Sequence, residues 1–187
     1  MKVIAVYGSS RITAADPEYA DSMEVGRLLG AAGYAVMTGG YGGVMEAASR
    51  GAAEAGAKVI GVTTAAIEAL RPQRPNQWVT EEVEQGRFSQ RVDYLVRSAH
   101  GFVAMPGGIG TLHEIVAVWE FMRIGEIAPG PIVCYGPYWE EMLGPLLNHR
   151  YTHPDYLPLL RFAHTPAEVV QAVQSYSPES ITWTRHS

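Results

Sequence analysis

Cysteine is almost missing from this 187-residue sequence. Cys134 stands alone, so no intrachain disulfide is possible and a reducing compartment is expected. It lies in the apolar run PIVCY, where a free thiol is expected to be buried and structural. Lysine is nearly as scarce, with only Lys2 and Lys58. Positive charge is in deficit: 14 Lys and Arg against 19 Asp and Glu give a formal net charge of -5. That balance argues against nucleic acid as a partner, while leaving room for a local basic pocket that takes a small phosphate. No apolar run is long enough to cross a bilayer, and the opening MKVIAVYG is too short for a signal peptide. A cytoplasmic protein without a membrane partner is therefore expected. Repeats, long linkers and low-complexity blocks are absent too, so residues 1–187 read as one domain with a tail from about residue 178.

What is present is an alternation. Short apolar runs (KVIAVYG, YAVMTGG, KVIGVT, FVAMPGG, PIVCYG) read as five buried strands, and LRFAH as a further short one. Between them lie longer stretches that read as helices: 16–33, 43–56, 85–101, 110–126 and 138–150. In the first, Ala20, Met23, Leu28 and Leu29 are expected to face inward, and Gly33 to stop the helix. Pro145 is expected to kink or divide the last of these. Residues 66–80, with Pro72 and Pro75, read as a surface loop. A final helix opens on Thr165 as N-cap, Pro166 at its first position and Glu168 completing a capping box. Strand–helix alternation of this kind predicts an α/β fold, a Rossmann-like doubly wound parallel sheet with helices on both faces. Ligands of such sheets bind outside the carboxyl ends of the strands, so the loops that follow strands carry the function.

Three of those loops are rich in glycine: Gly8-Ser9-Ser10, Gly39-Gly40-Tyr41-Gly42-Gly43 and Gly107-Gly108-Ile109-Gly110-Thr111. Glycine lets a backbone approach a ligand closely, and the helix that follows aims free N–H groups and a partial positive charge at the loop. Tight turns also need glycine, but three such loops on one sheet edge point to an anion site, most simply for a phosphate. None has the Gly-Lys-Ser/Thr of a Walker loop, and Gly8 alone does not make a dinucleotide fingerprint. Candidate binding residues are Gly8, Ser9, Gly39, Gly40, Gly107, Gly108, Ile109, Gly110 and Thr111. Thr111-x-x-Glu114 has the form of a capping box, which would make both residues structural. Yet the helix in question is the one whose start forms the phosphate cradle, and Glu114 lies one turn in. Arg87 and Arg91 share a face of the preceding helix and Arg97 lies near its end; an arginine at the mouth would suit a phosphate bidentately. His149 and His153 have ligand-like spacing, but nearby Pro154 and the lack of a local carboxylate motif make a surface pair the simpler reading, and no metal is expected.

These residues resemble a known family. PGGIGTLHE matches the PGGxGTxxE signature of the LOG family of phosphoribohydrolases, often labelled lysine decarboxylases. Arg91 in SQRVDYLV fits that family's signature arginine, and TGGYGGVMEAASRGA resembles its second glycine loop; the likeness covers roughly residues 2–150. The resemblance implies hydrolysis of the N-glycosidic bond of a nucleoside 5′-monophosphate, cytokinin nucleotides among them. It implies Arg91 and Glu114 as the catalytic pair, Gly107 to Thr111 as the phosphate loop, no cofactor, and a homodimer or an assembly of dimers. Decarboxylation would need pyridoxal phosphate on a lysine, and Lys2 and Lys58 each begin a predicted strand, away from the ligand edge. The chain departs from plant-type members at Glu46, Val92 and His113, which bears on the choice of base. The base pocket is sought among Met105, Trp119, Met122 and Arg123. The same fold and loops also resemble molybdenum-cofactor carrier proteins, so a non-catalytic carrier of a phosphorylated ligand is the alternative.

Overall fold

The computed structural model describes residues 1–70, 74–148 and 150–177. The expected tail from residue 178, Pro72 and His149 lie outside them. The elements are β1 (Val3–Tyr7), α1 (Pro17–Ala31), β2 (Ala35–Thr38), α2 (Val44–Glu54), β3 (Val59–Thr64), α3 (Ala65–Leu70), β4 (Glu81–Gln85) and α4 (Phe88–Arg97). They continue with β5 (Gly101–Ala104), α5 (Ile109–Arg123), β6 (Ile132–Tyr135), α6 (Pro137–Leu147), a 3-10 turn (Pro154–Leu159), β7 (Leu160–Ala163) and α7 (Pro166–Gln174).

All seven strands are parallel, in the order β4-β3-β2-β1-β5-β6-β7. The chain builds outward from β1 in one direction, then returns and builds outward from β5 in the other. The crevice between β1 and β5 is therefore the topological switch point, where this class of sheet binds ligands. Strand residues alternate between two cores. Ala5, Tyr7, Val62, Phe102, Ala104 and Cys134 pack under α4, α5 and α6 through Leu95, Ile115, Val118 and Trp139. Ile4, Val6, Val36, Val103 and Val133 pack under α1, α2 and α7 through Val25, Leu29, Val44, Ala48 and Val169. Cys134 is buried without a disulfide, and burial pushes its thiol pKa up to about 12.

The structure departs from the sequence reading in four places. First, Glu81–Gln85 is a strand, β4. It pairs only with β3, and a sheet edge tolerates its three glutamates because they stay in water; only Val83 reaches the core. Second, Ala65–Leu70 is a short helix inside the stretch expected to be loop. Alanine and leucine favour helix, and Glu68 ties it to the Tyr41 hydroxyl at 3.3 Å. Third, α6 runs undivided through Pro145, which falls in its last turn, where one lost hydrogen bond is easily borne. Fourth, the inward face of α1 meets the expected one only at Leu29: Tyr19, Ser22, Val25 and Gly26 are buried with it, while Ala20 is exposed and Met23 and Leu28 are half-buried. The cause is close helix packing. A Cβ on Gly26 would collide with the Ala48 carbonyl, and one on Gly51 with the Met23 carbonyl. At α1 and α2 backbone meets backbone, so the buried seam is made of small residues rather than an apolar stripe. Gly33 does end α1 as expected, with φ 85°.

Candidate active site

The site is assembled where the chain leaves β1, β2 and β5. The Ser9 N–H donates to the Pro106 carbonyl at 3.1 Å, and the Ser9 carbonyl accepts from the Val44 N–H at 2.9 Å, so three loops are stitched together. From behind, α6 holds the β5–α5 loop. Tyr138 donates its hydroxyl to the Gly107 carbonyl at 2.8 Å, and Trp139 Nε1 donates to the Met105 carbonyl at 3.1 Å. Sequence reasoning missed this anchor. The pair Tyr138-Trp139 at the start of a helix was its only signal.

The glycines divide into two kinds. Some make room for protein: a Cβ on Gly8 would sit 2.6 Å from the Val44 side chain, one on Gly107 would overlap Thr111 Oγ1, and one on Gly39 would overlap the Arg91 guanidinium. Gly40 takes φ 82°, and its carbonyl accepts from the Asn76 N–H at 2.8 Å and Nδ2 at 3.1 Å, which closes the turn. Gly108 and Gly110 are different. Apart from chain neighbours and the helix's own backbone, no heavy atom of the described residues lies within 4 Å of a Cβ built on either, and neither has a positive φ. Both border the cavity at the start of α5. Nothing among the described residues requires their bareness, so it is available to a ligand.

That cavity has a volume of about 740 Å³ and is lined by Gly8, Ser9, Gly39, Arg91, Gly108, Ile109, Gly110, Thr111 and Glu114 among the sequence candidates. Gly40 and Gly107 sit behind the lining in their turns. Sequence reasoning did not single out Val6, Tyr7, Ser10, Arg11, Tyr41, Met45, Ile67 and Phe88, which complete it, though Ser10 and Tyr41 belong to its glycine loops. Four of the missed residues form a mostly apolar wall: Tyr41, Met45, Ile67 and Phe88. Phe88 is backed by His113, ring centroids 6.1 Å apart. The residues proposed for a base pocket do not reach the cavity. Met105 is buried in the core under α1, α2 and α7, Met122 in the one under α4, α5 and α6 with Trp119 packed against it, and Arg123 is paired with Glu120. Of the three arginines on α4's stretch, only Arg91 faces inward; Arg87 is exposed and Arg97 pairs with Asp93 and Glu126. His153 accepts the Asp155 N–H as cap of the 3-10 turn.

Thr111 and Glu114 do not form a capping box. The helix begins at Ile109, with Gly108 as an N-cap that offers no side chain. No side chain caps the first N–H groups of α5, Gly108 to Thr111 border the cavity, and Glu114 lies in the second turn. Glu114 is half-buried in the cavity wall, and burial pushes its pKa up to about 7 against the opposing pull of Arg91. Arg91 is itself 5% exposed. Its Nε donates to the Val62 carbonyl at 2.7 Å and its Nη2 to the Gly39 carbonyl at 3.0 Å, with the guanidinium carbon 5.7 Å from the Tyr41 ring centre. Burial lowers its pKa, and the nearby Glu114 carboxylate partly offsets that. Arg91 and Glu114 thus act on each other through the field rather than through an ion pair. Tyr7 is buried beside them; burial and Glu114 raise its pKa, and its hydroxyl donates to the Leu95 carbonyl at 3.2 Å.

Residues 45–173, which include Arg91, the glycine loop and Glu114, match the model of the family described as "possible lysine decarboxylase". The chain belongs to that family. Curated relatives include nucleotide monophosphate nucleosidases and LOG-type phosphoribohydrolases. A pyrimidine/purine nucleotide 5′-monophosphate nucleosidase of Escherichia coli strain K12 is 36% identical over 106 residues, 53% of this chain and 23% of that protein. A rice protein named "probable cytokinin riboside 5′-monophosphate phosphoribohydrolase" is 27% identical over 149 residues, 77% of this chain and 60% of that protein. The chain thus spans only part of the length of both. The Moco carrier protein of Chlamydomonas reinhardtii has a solved structure that superposes with a TM-score of 0.71 at 25% identity, covering 92% of this chain and 95% of that one. For a decarboxylase of the pyridoxal type this LOG-family chain has no amine in place. Lys2 and Lys58 stand immediately before β1 and β3, at the opposite edge of the sheet, and Lys58 is paired with Glu81.

Proposed function

We propose that the chain hydrolyses the N-glycosidic bond of a nucleoside 5′-monophosphate, releasing the free base and ribose 5-phosphate. The observation that carries this reading is one cavity holding an uncapped helix start and, one turn further along the same helix, a carboxyl group poised near neutrality. The phosphate docks on the N–H groups at Gly108 to Thr111, where the helix supplies about half a positive charge. Docking there fixes the ribose over the second turn of α5, so binding energy far from the bond positions the bond. As the C1′–N bond breaks, positive charge grows on the sugar. The Glu114 carboxylate stabilises that charge and takes a proton from the water that attacks C1′; the leaving base carries off the bonding pair and receives that proton, which returns Glu114 to its carboxylate. Arg91, fixed by two carbonyls, keeps part of Glu114 ionised and has Nη1 left for the substrate. The wall of Tyr41, Met45, Ile67 and Phe88 receives the base.

Incubation of the purified chain with AMP and with isopentenyladenosine monophosphate tests this. Free base appears with wild type, and Glu114→Gln or Arg91→Ala lowers the rate by about 10²-fold or more with folding intact. Tight binding of a phosphorylated ligand with no cleavage of either nucleotide would instead support the carrier alternative, which the likeness to the algal carrier protein favours.

A further inference from the structure

Arg11 was absent from every sequence motif above, yet it lines the cavity together with Ser10 and the start of α5. Its backbone is held firmly. The Arg11 N–H donates to Ser9 Oγ at 3.1 Å, and Ser9 is bonded to Pro106 and Val44. Two residues on, Thr13 donates from both its N–H and its hydroxyl to the Asp16 carboxylate at 2.7 and 2.9 Å. The loop is pinned on both sides of Arg11, while its guanidinium has no hydrogen-bond or ionic partner among the described residues. Arg91, the other arginine of the cavity, has Nε and Nη2 committed to carbonyls.

A phosphate monoester carries a charge of about -1.5 to -2 at neutral pH. The helix start offers roughly +0.5, which leaves most of that charge unmatched. We propose that Arg11 is the phosphate-clamping residue of this site, closing from the β1–α1 loop onto an anion already docked at the start of α5. It is thereby the residue that makes the site select a 5′-monophosphate over the bare nucleoside. The guanidinium presents two parallel N–H groups to two phosphate oxygens, a geometry that lysine cannot copy. The inference rests on the docking of phosphate at α5 proposed above, though not on what happens to the glycosidic bond.

Kinetics on the full chain with AMP test it. Arg11→Ala raises KM by about 10- to 100-fold and leaves kcat within about threefold; Arg11→Lys restores part of the loss. Calorimetry with ribose 5-phosphate shows the same loss of affinity without needing any cleavage. Adenosine, which lacks the phosphate, binds wild type and Arg11→Ala equally, which a merely structural role would not produce. Unchanged KM and ribose 5-phosphate affinity in Arg11→Ala, an equal loss of adenosine binding, or failure of wild type to bind ribose 5-phosphate would each overturn the proposal. Binding of ribose 5-phosphate that depends on Arg11, with no base released from any 5′-monophosphate, would uphold the clamp and sink the hydrolase reading.

Discussion

At Glu114 the fold holds a carboxyl group whose ionisation it disfavours. With a pKa of about 7 in the folded chain against 4.5 for an ordinary glutamate, the group is still protonated in the fold at pH values where it has ionised in the unfolded chain. The favourable contribution is full below pH 4.5, falls as pH rises through about 7, and above that the fold carries the whole penalty. Glu114→Gln is therefore expected to stabilise the chain by about 1–3 kcal/mol at pH 8 and to have no effect below pH 4. Urea unfolding at the two pH values measures the difference, and equal midpoints at pH 8 would contradict it. The same group sets the rate. Because the carboxylate is the active form in the proposed mechanism, kcat/KM with a nucleoside monophosphate should rise about tenfold per pH unit below 7 and level off above. A rate that falls with pH over that range would mean that Glu114 acts as an acid.

At the scale of elements, α5 begins with two glycines that no protein neighbour explains. Gly110→Ala should stabilise the helix by about 0.5–1 kcal/mol, because glycine is costly inside a helix and the new methyl meets nothing. In the same variant the methyl stands where the phosphate is proposed to sit, so KM should rise; thermal melting and kinetics together check both halves. Gly51→Ala should do the opposite. Its methyl would strike the Met23 carbonyl, forcing α1 and α2 apart at a cost of about 1–3 kcal/mol. These helices also show what could be read from the sequence. Strands such as Val3–Tyr7 and Ile132–Tyr135 announce themselves because a doubly covered strand is apolar throughout. β4 does not, since an edge strand is covered on one side at most and EEVEQ looks like a charged loop. Only Leu29 of the inward face of α1 was read from its apolar spacing, because the small residues Ser22 and Gly26 share that face with Tyr19 and Val25. In the site, loops and charges were legible from local spacing. The aromatic and aliphatic wall was not, because Tyr41, Met45, Ile67 and Phe88 come from three separate stretches that only the closed sheet brings together.

The whole molecule is a sheet with two dry faces, and its outer surface still shows apolar side chains: Val116 on α5, and Met142 and Leu146 on α6, each between 44% and 49% exposed. Family resemblance carries the expectation of a dimer, and an isologous contact through these helices would cover such residues. Sedimentation of wild type should then give a dimer, and the double substitution Met142→Glu, Leu146→Glu a monomer; a wild-type monomer would remove the idea. The direct backbone contact between α1 and α2 has a further consequence, a mechanical one. With backbone against backbone at Gly26 and Gly51, the two rods move as a single block, and with them the loops that precede each. Two of the cavity's lips are thereby locked to one another. Breathing of the mouth is left to the opposite rim at Ala65–Leu70, held to the Tyr41 hydroxyl by Glu68, so amide exchange should quicken there while both rods stay shut.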